Sequence, residues 1–132
     1  KELYKLSSFQ MVRIIETDEK CCRMKSINGY CPKPLESVSD YLSKKWTMSI
    51  IITIGNFTKL RFNELLARLE GATAKILTDR LKELKEEGII NRISYNEIPP
   101  KVEYSLTKTG TKLLNALHPM LQWAEQRRNR VF

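Results

Sequence analysis

The pattern between residues 61 and 107 constrains this chain more than any other feature. It reads RFNELLARL, then GATAKILTDRLKELKEEG, then IINRISYNEIPPKVEYSLT. Leu65, Leu66 and Leu69 recur at helical spacing, with Asn63 as an expected N-cap and Glu64 well placed against the helix dipole. Gly71 supplies a turn. A second helix is expected from Thr73, a good N-cap residue, with Ala74, Leu77, Leu81 and Leu84 as its buried stripe and Gly88 as its terminator. Residues 89–95 and 102–106 read as strands, the second alternating Val102, Tyr104 and Leu106 against Glu103 and Ser105. Between them lies Asn96-Glu97-Ile98-Pro99-Pro100-Lys101. Helix, turn, helix and hairpin in this order spell a winged helix-turn-helix, whose second helix enters the DNA major groove.

The remaining chain supports this core. Residues 1–30 are loosely patterned, with Phe9, Met11, Val12, Ile14 and Ile15 ahead of a charged stretch, and read as an N-terminal extension of uncertain structure. Pro32 and Pro34 forbid continuous helix and mark a boundary, so residues 31–132 read as the winged domain. Leu35, Val38, Tyr41 and Leu42 suggest one short helix. A further helix from Trp46 through Ile54 is apolar nearly all round, as a centrally buried helix is, and Gly55-Asn56 is expected to end it. A long final helix follows Thr107 and carries Leu113, Leu114, Leu117, Met120, Leu121 and Ala124. Pro119 within it is expected to kink or divide it. The expected fold class is α+β, mostly α, a winged helix-turn-helix domain with an N-terminal extension and a long C-terminal helix.

Composition narrows the partner. The 132 residues suffice for one domain with a proper core, and a formal charge of +8 favours an anionic partner. The longest apolar run, from Met48 to Ile54, is too short to cross a bilayer. No signal-like apolar segment is read at the polar N-terminus, and three cysteines argue against an extracellular disulfide framework. A cytoplasmic protein is expected. An enzyme is not: there is one histidine, the five glycines are scattered, and no carboxylate pair falls where a cleft is expected.

Opposite the buried stripe of the second helix stand Lys75, Asp79 and Lys82, with Ile76 and Glu83 at the edge. Lysine donates to guanine, aspartate accepts from cytosine, and isoleucine touches a thymine methyl. Glu83, Glu86 and Glu87 would repel phosphates, so the N-terminal half, led by Thr73 and Lys75, is expected to enter the groove. The plainer alternative is a solvated face laced by i,i+3 and i,i+4 ion pairs. Arg92 and Lys101 flank the wing (residues 96–101), and Lys59 and Arg61 precede the motif. All four are expected to hold phosphates, which position a protein without reading sequence; ordinary surface solubility is the alternative for each.

Cys31-Pro32, Lys45-Trp46, Arg61-Phe62-Asn63-Glu64-Leu65, Leu77-Thr78, Leu81-Lys82-Glu83-Leu84, Gly88-Ile89 and the run from Pro99 to Thr107 together resemble the HxlR-type regulators, winged-helix transcription factors of MarR-like architecture. The resemblance covers about Cys31 to Gln126. It implies a homodimer on a pseudo-palindromic operator in double-stranded DNA, with the final helix and the N-terminal helix supplying the dimer interface, so that the long C-terminal helix is a dimerisation helix. Leu113, Leu117, Leu121 and Trp123 offer the apolar surface for that, or for packing within one chain. In some members the cysteine of the Cys-Pro pair senses oxidants or electrophiles, and here that position is Cys31. Its place before a helix N-terminus, near Lys25 and Lys33, favours thiolate. Cys21 and Cys22 could resolve it, or ligate a soft metal together with Cys31 and His118, but the spacing matches no metal motif; solvent-exposed spectators are the expected reading, and no cofactor or metal is expected. Repression is the expected mode. A small-molecule signal, or a winged helix used only for protein contacts, are the alternatives.

Overall fold

The structure is a computed structural model that describes residues 30–131, with side chains to residue 129. Cys21, Cys22 and the apolar residues Phe9 to Ile15 lie outside the described residues. The chain divides after Leu42 into two compact units, Lys1–Leu42 and Ser43–Phe132. Residues 31–42, read from the sequence as the start of the winged domain, group with the N-terminal unit.

In that unit Pro32 and Pro34 open a 3-10 turn, Lys33–Leu35, a position where the fixed φ of proline suits a first turn. Helix α1 follows, Glu36–Leu42. Leu35, expected on its inner side, sits in the 3-10 turn instead and is exposed. Val38, Tyr41 and Leu42 are half-buried, as a one-sided pattern requires.

The second unit begins with α2, Thr47–Phe57, whose Thr47, Ile50, Ile51 and Ile54 are buried. The expectation that Gly55-Asn56 would end this helix is corrected, because it runs on to Phe57 and stops at Thr58, which has a φ of 64°. Gly55 has a packing purpose: a Cβ there would collide with Leu114 Cδ2 and stand 3.3 Å from Leu106 Cδ1. A missing side chain lets the last helix approach, so glycine here is no stop signal.

A two-residue strand that the sequence did not disclose, β1 (Leu60–Arg61), leads into α3, Phe62–Arg68. Because Leu60 and Arg61 pair with Tyr104 and Glu103, the strand-to-helix corner falls at Arg61. Asn63 is therefore inside the first turn and is not the N-cap. Helix α4 (Ala74–Glu86) is followed by β2 (Ile90–Tyr95), β3 (Lys101–Leu106) and α5 (Lys108–Val131). The sheet is antiparallel with order β1-β3-β2. Pro119 does not divide α5. One proline removes one N–H from the helical ladder, and in so long a helix the bonds on either side continue.

Ile50, Ile51, Ile54, Leu60, Leu65, Leu77, Leu84, Ile89 and Ile90 are nearly inaccessible and make the core. The segment after α4 binds it together. Gly88, with a φ of 73°, turns the chain, and Ile89 N donates to Leu84 O at 2.9 Å. Thr107 then returns to this turn: its N–H donates to Ile89 O at 3.0 Å and its hydroxyl to Gly88 O at 2.6 Å. The same hydroxyl accepts from Gly110 N at 3.0 Å and so caps α5. Gly110 lies so close that a Cβ would collide with the Ile89 carbonyl oxygen. Backbone cannot swing aside as a side-chain tip can. Gly110→Ala is expected to destabilise the fold by about 1–3 kcal/mol, read as a lower urea midpoint with an unchanged m-value.

Candidate nucleic-acid interface

Helix α4 starts where the sequence indicated. Thr73 has extended backbone angles and its side chain accepts from Ile76 N at 3.2 Å, satisfying one of the orphan donors of the first turn. The preceding turn uses Gly71 at a φ of 94°, where a Cβ would stand 3.6 Å from the Trp46 ring. Leu77, Leu81 and Leu84 are buried, while Ala74, expected in the same stripe, is exposed at the end of the helix. The opposite face presents Lys75, Asp79 and Lys82 to solvent, with Ile76 half-buried beside them.

Two side chains on the flank of α4 are held by the segment before α2. Lys44 Nζ lies 2.6 Å from Glu83 Oε2, and Arg80 Nε donates to the Lys45 carbonyl at 3.1 Å. Glu83, placed by the sequence at the edge of the DNA-facing side, is thus drawn toward Lys44. Lys75, Asp79 and Lys82 make no side-chain ion pair among the described residues, and the i,i+3 and i,i+4 ladder offered as their plainer explanation does not form between them.

The wing is the 96–100 loop between β2 and β3, with a cis Ile98–Pro99 bond and a fully exposed Ile98. At its base Lys101 Nζ is 2.8 Å from Glu103 Oε1 and 5.0 Å from the centre of the Tyr95 ring. The hydrogen bond from Lys101, followed by the nearby charges of Lys101, Lys59 and Arg61, holds the Glu103 carboxyl below the usual carboxylate range. Reciprocally, the hydrogen bond and charge of Glu103 raise Lys101 above its ordinary value. A shallow recess of about 120 Å³ here is lined by Lys59, Leu60, Arg61, Glu64, Lys101 and Glu103. Of the four expected phosphate holders, then, Lys59, Arg61 and Lys101 come together. Arg92 does not: it is exposed, but stands opposite Tyr104 and so belongs to the other face of the sheet.

On α5, Leu113 is half-buried and Leu117 only 5 % exposed, so Leu117 is occupied within its own chain and has little surface left for a partner. Met120, Leu121 and Trp123 are exposed, and the Arg127 guanidinium lies 5.2 Å from the centre of the Trp123 ring. In the N-terminal unit Cys31 is 6 % exposed and disulfide-bonded. Among the described residues no cluster of histidine, cysteine and carboxylate could hold a metal ion, and no helix is long and apolar enough to cross a membrane.

This arrangement of capped helix, wing and long last helix coincides with a family model described as HxlR-like helix-turn-helix, which matches residues 41–132. The chain belongs to the HxlR-like family. It is 37 % identical over 98 residues to the HTH-type transcriptional regulator YtcD of Bacillus subtilis, covering 74 % of this chain and 77 % of that one. Among solved structures it is similar to the redox regulator HypR in its reduced form, with a TM-score of 0.68 and 36 % identity over 74 % of this chain and 96 % of the other. It is also similar to the reduced form of the transcriptional regulator YodB from B. subtilis, with a TM-score of 0.63 and 37 % identity over 74 % of this chain and 94 % of the other. This HxlR-like protein is accordingly a transcriptional regulator, and its relatives are regulators, not enzymes.

Sequence reasoning placed Glu64 and Glu103 in their elements but gave neither a part in this recess. The Lys101-Val102-Glu103 spacing did carry a signal, since residues two apart on a strand share a face and oppositely charged neighbours there attract.

Two outcomes follow from this geometry. Thr73→Ala removes the cap of α4 and is expected to cost about 1 kcal/mol, seen as a melting temperature lower by several degrees. The Lys101–Glu103 pair contributes while Glu103 is ionised and Lys101 protonated. Its Glu103 part is complete above the usual carboxylate range and is lost as pH falls through the lowered native value. The stability gap between wild type and Glu103→Gln should hold steady near neutrality and narrow on acidification below that range.

Proposed function

We propose that this HxlR-like regulator is a sequence-specific repressor that binds a pseudo-palindromic operator as a homodimer. Residues 73–87 enter the major groove and the wing, residues 96–101, lies on the backbone or in the minor groove. The observation that carries this reading is the two-sided character of α4: Leu77, Leu81 and Leu84 are locked into the core while Lys75, Asp79 and Lys82 face solvent. A helix so anchored cannot roll its charged face inward, and that face holds the donor and acceptor types that read base edges. Thr73 and Ile76 stand beside it at the leading end, and the repelling Glu86 and Glu87 lie at the other. Lys59, Arg61 and Arg92 are exposed cations suited to phosphates, with Lys101 at the wing base.

Dimerisation through α5 is supported by the exposed Met120, Leu121 and Trp123, with Leu113 at the margin. Single exposed apolar residues need no explanation, but three within four positions suit a partner helix. Cys31 is the proposed redox-responsive residue. Its burial and its disulfide make thiol chemistry there a change in packing as well as in charge, and the similarity to the redox regulator HypR supports the same reading.

The test is a fluorescence-anisotropy titration of the gene's own upstream DNA, in reductant and after mild thiol oxidation. Lys75→Ala is expected to weaken binding to that DNA by on the order of tenfold or more, with a smaller effect on random sequence. Binding should change between the two redox conditions in wild type and not in Cys31→Ser. Equal loss on operator and random DNA would remove Lys75 from base reading. A redox response that persists without Cys31 would move the sensor elsewhere.

A further inference from the structure

Directly opposed residues of an antiparallel pair share one face of the sheet, as do residues two apart on one strand. Arg61 stands opposite Glu103, Glu103 opposite Ile93, and Lys101 opposite Tyr95. One face at the wing base thus gathers Arg61, Lys101, Glu103 and Tyr95, and Lys59 and Glu64 complete the recess. Three cations and two carboxylates meet here, on a surface otherwise suited to an anion.

Glu103 decides how these charges divide. Its side chain is 12 % exposed, against 29 % for Lys101, and the two are 2.8 Å apart. A carboxylate so covered needs its counter-ion, because removing the partner strands a charge with little water around it. A DNA phosphate drawing on the Lys101 ammonium would have to share it with Glu103 and would meet a second anion beside it. The Tyr95 ring on the other side of Lys101 adds a further reason for the ammonium to stay. Neither restraint is seen for Arg61, which is exposed and whose charge reaches Glu103 only through space.

We propose that Lys101 and Glu103 are positioning residues of the wing: Lys101 neutralises Glu103 and bridges β3 to the end of β2, leaving Arg61 and Lys59 as the cations of this face that meet the DNA backbone. The inference rests on the DNA-binding reading above and refines it by withdrawing Lys101 from the phosphate contacts. The bridge sits directly beside the wing loop, where Glu97 N donates to Tyr95 O at 2.9 Å, so it also holds the loop in shape before DNA arrives.

The experiment reads the slope of log affinity against log salt, to which each phosphate contact contributes about 0.9. The double variant Lys101→Met, Glu103→Gln replaces the pair with neutral groups of similar size and should keep the wild-type slope. Glu103→Gln alone frees the ammonium and should steepen the slope by about 0.9, and Arg61→Ala should make it shallower by the same amount. A double variant that loses about 0.9, with Glu103→Gln unchanged, would make Lys101 a phosphate ligand and overturn the proposal; an unchanged slope in Arg61→Ala would overturn its other half. In the free protein, Lys101→Met should speed amide hydrogen exchange at Asn96, Glu97 and Ile98, and unaltered exchange would remove the bridging role. That measurement needs no DNA and tests the bridging role separately from the phosphate contacts, even if Glu103→Gln folds poorly. Failure of the underlying DNA reading looks different, because the wild-type protein itself would then show no competitor-resistant, salt-dependent binding.

Discussion

Helix α4, the hairpin and the last helix are aligned by one small junction, where Thr107 and Gly110 meet the turn at Gly88 and Ile89. The Thr107 hydroxyl donates to the Gly88 carbonyl while accepting from Gly110 N, and the Thr107 N–H donates to the Ile89 carbonyl. Helix α4, strand β2, strand β3 and helix α5 all begin or end within a few residues of this point. Their angles are set together because the Ile89 carbonyl lies where a Gly110 side chain would be. Buried backbone groups without partners are costly, so a junction made of backbone hydrogen bonds tolerates few alternatives.

From that junction the two faces of α4 acquire different fates. Three leucines enter the core, and the flank is pinned by the Lys44–Glu83 pair and the bond from Arg80 to the Lys45 carbonyl. The exposed ion pair contributes little energy by itself. Its value is angular: with the leucine stripe it limits rotation of the helix about its own axis. The charged face is then presented in one orientation, as the proposed readout of base edges demands.

Electrostatics at the wing follow a different logic. On α4 Lys75 and Lys82 face water without a carboxylate partner among the described residues, whereas at the wing base Glu103 collects the charge of Lys101, Lys59 and Arg61. A basic protein of formal charge +8 does not therefore offer its cations equally to an anion. Each is available only to the extent that no internal carboxylate holds it.

Much of this was legible in the residues themselves. The order of helix, turn, helix and hairpin, the Thr73 cap, the Gly88 terminator and the leucine stripe are local features, decided within one or two turns of chain by spacing and capping. What the sequence could not disclose depended on partners far away in the chain. Gly55 looks like a helix end until Leu114 and Leu106 are placed against it. Asn63 looks like a cap until Leu60 and Arg61 pair with β3. Leu117 looks available to a partner until its burial is known, and Lys101 looks like a free cation until strand geometry sets it beside Glu103. Sequence alone determined helix α4, the hairpin and the chemistry of the exposed face, because helix periodicity and capping act over a few residues. Tertiary structure alone decided which glycines permit close packing and which cations are already paired, because both depend on atoms brought together from distant parts of the chain.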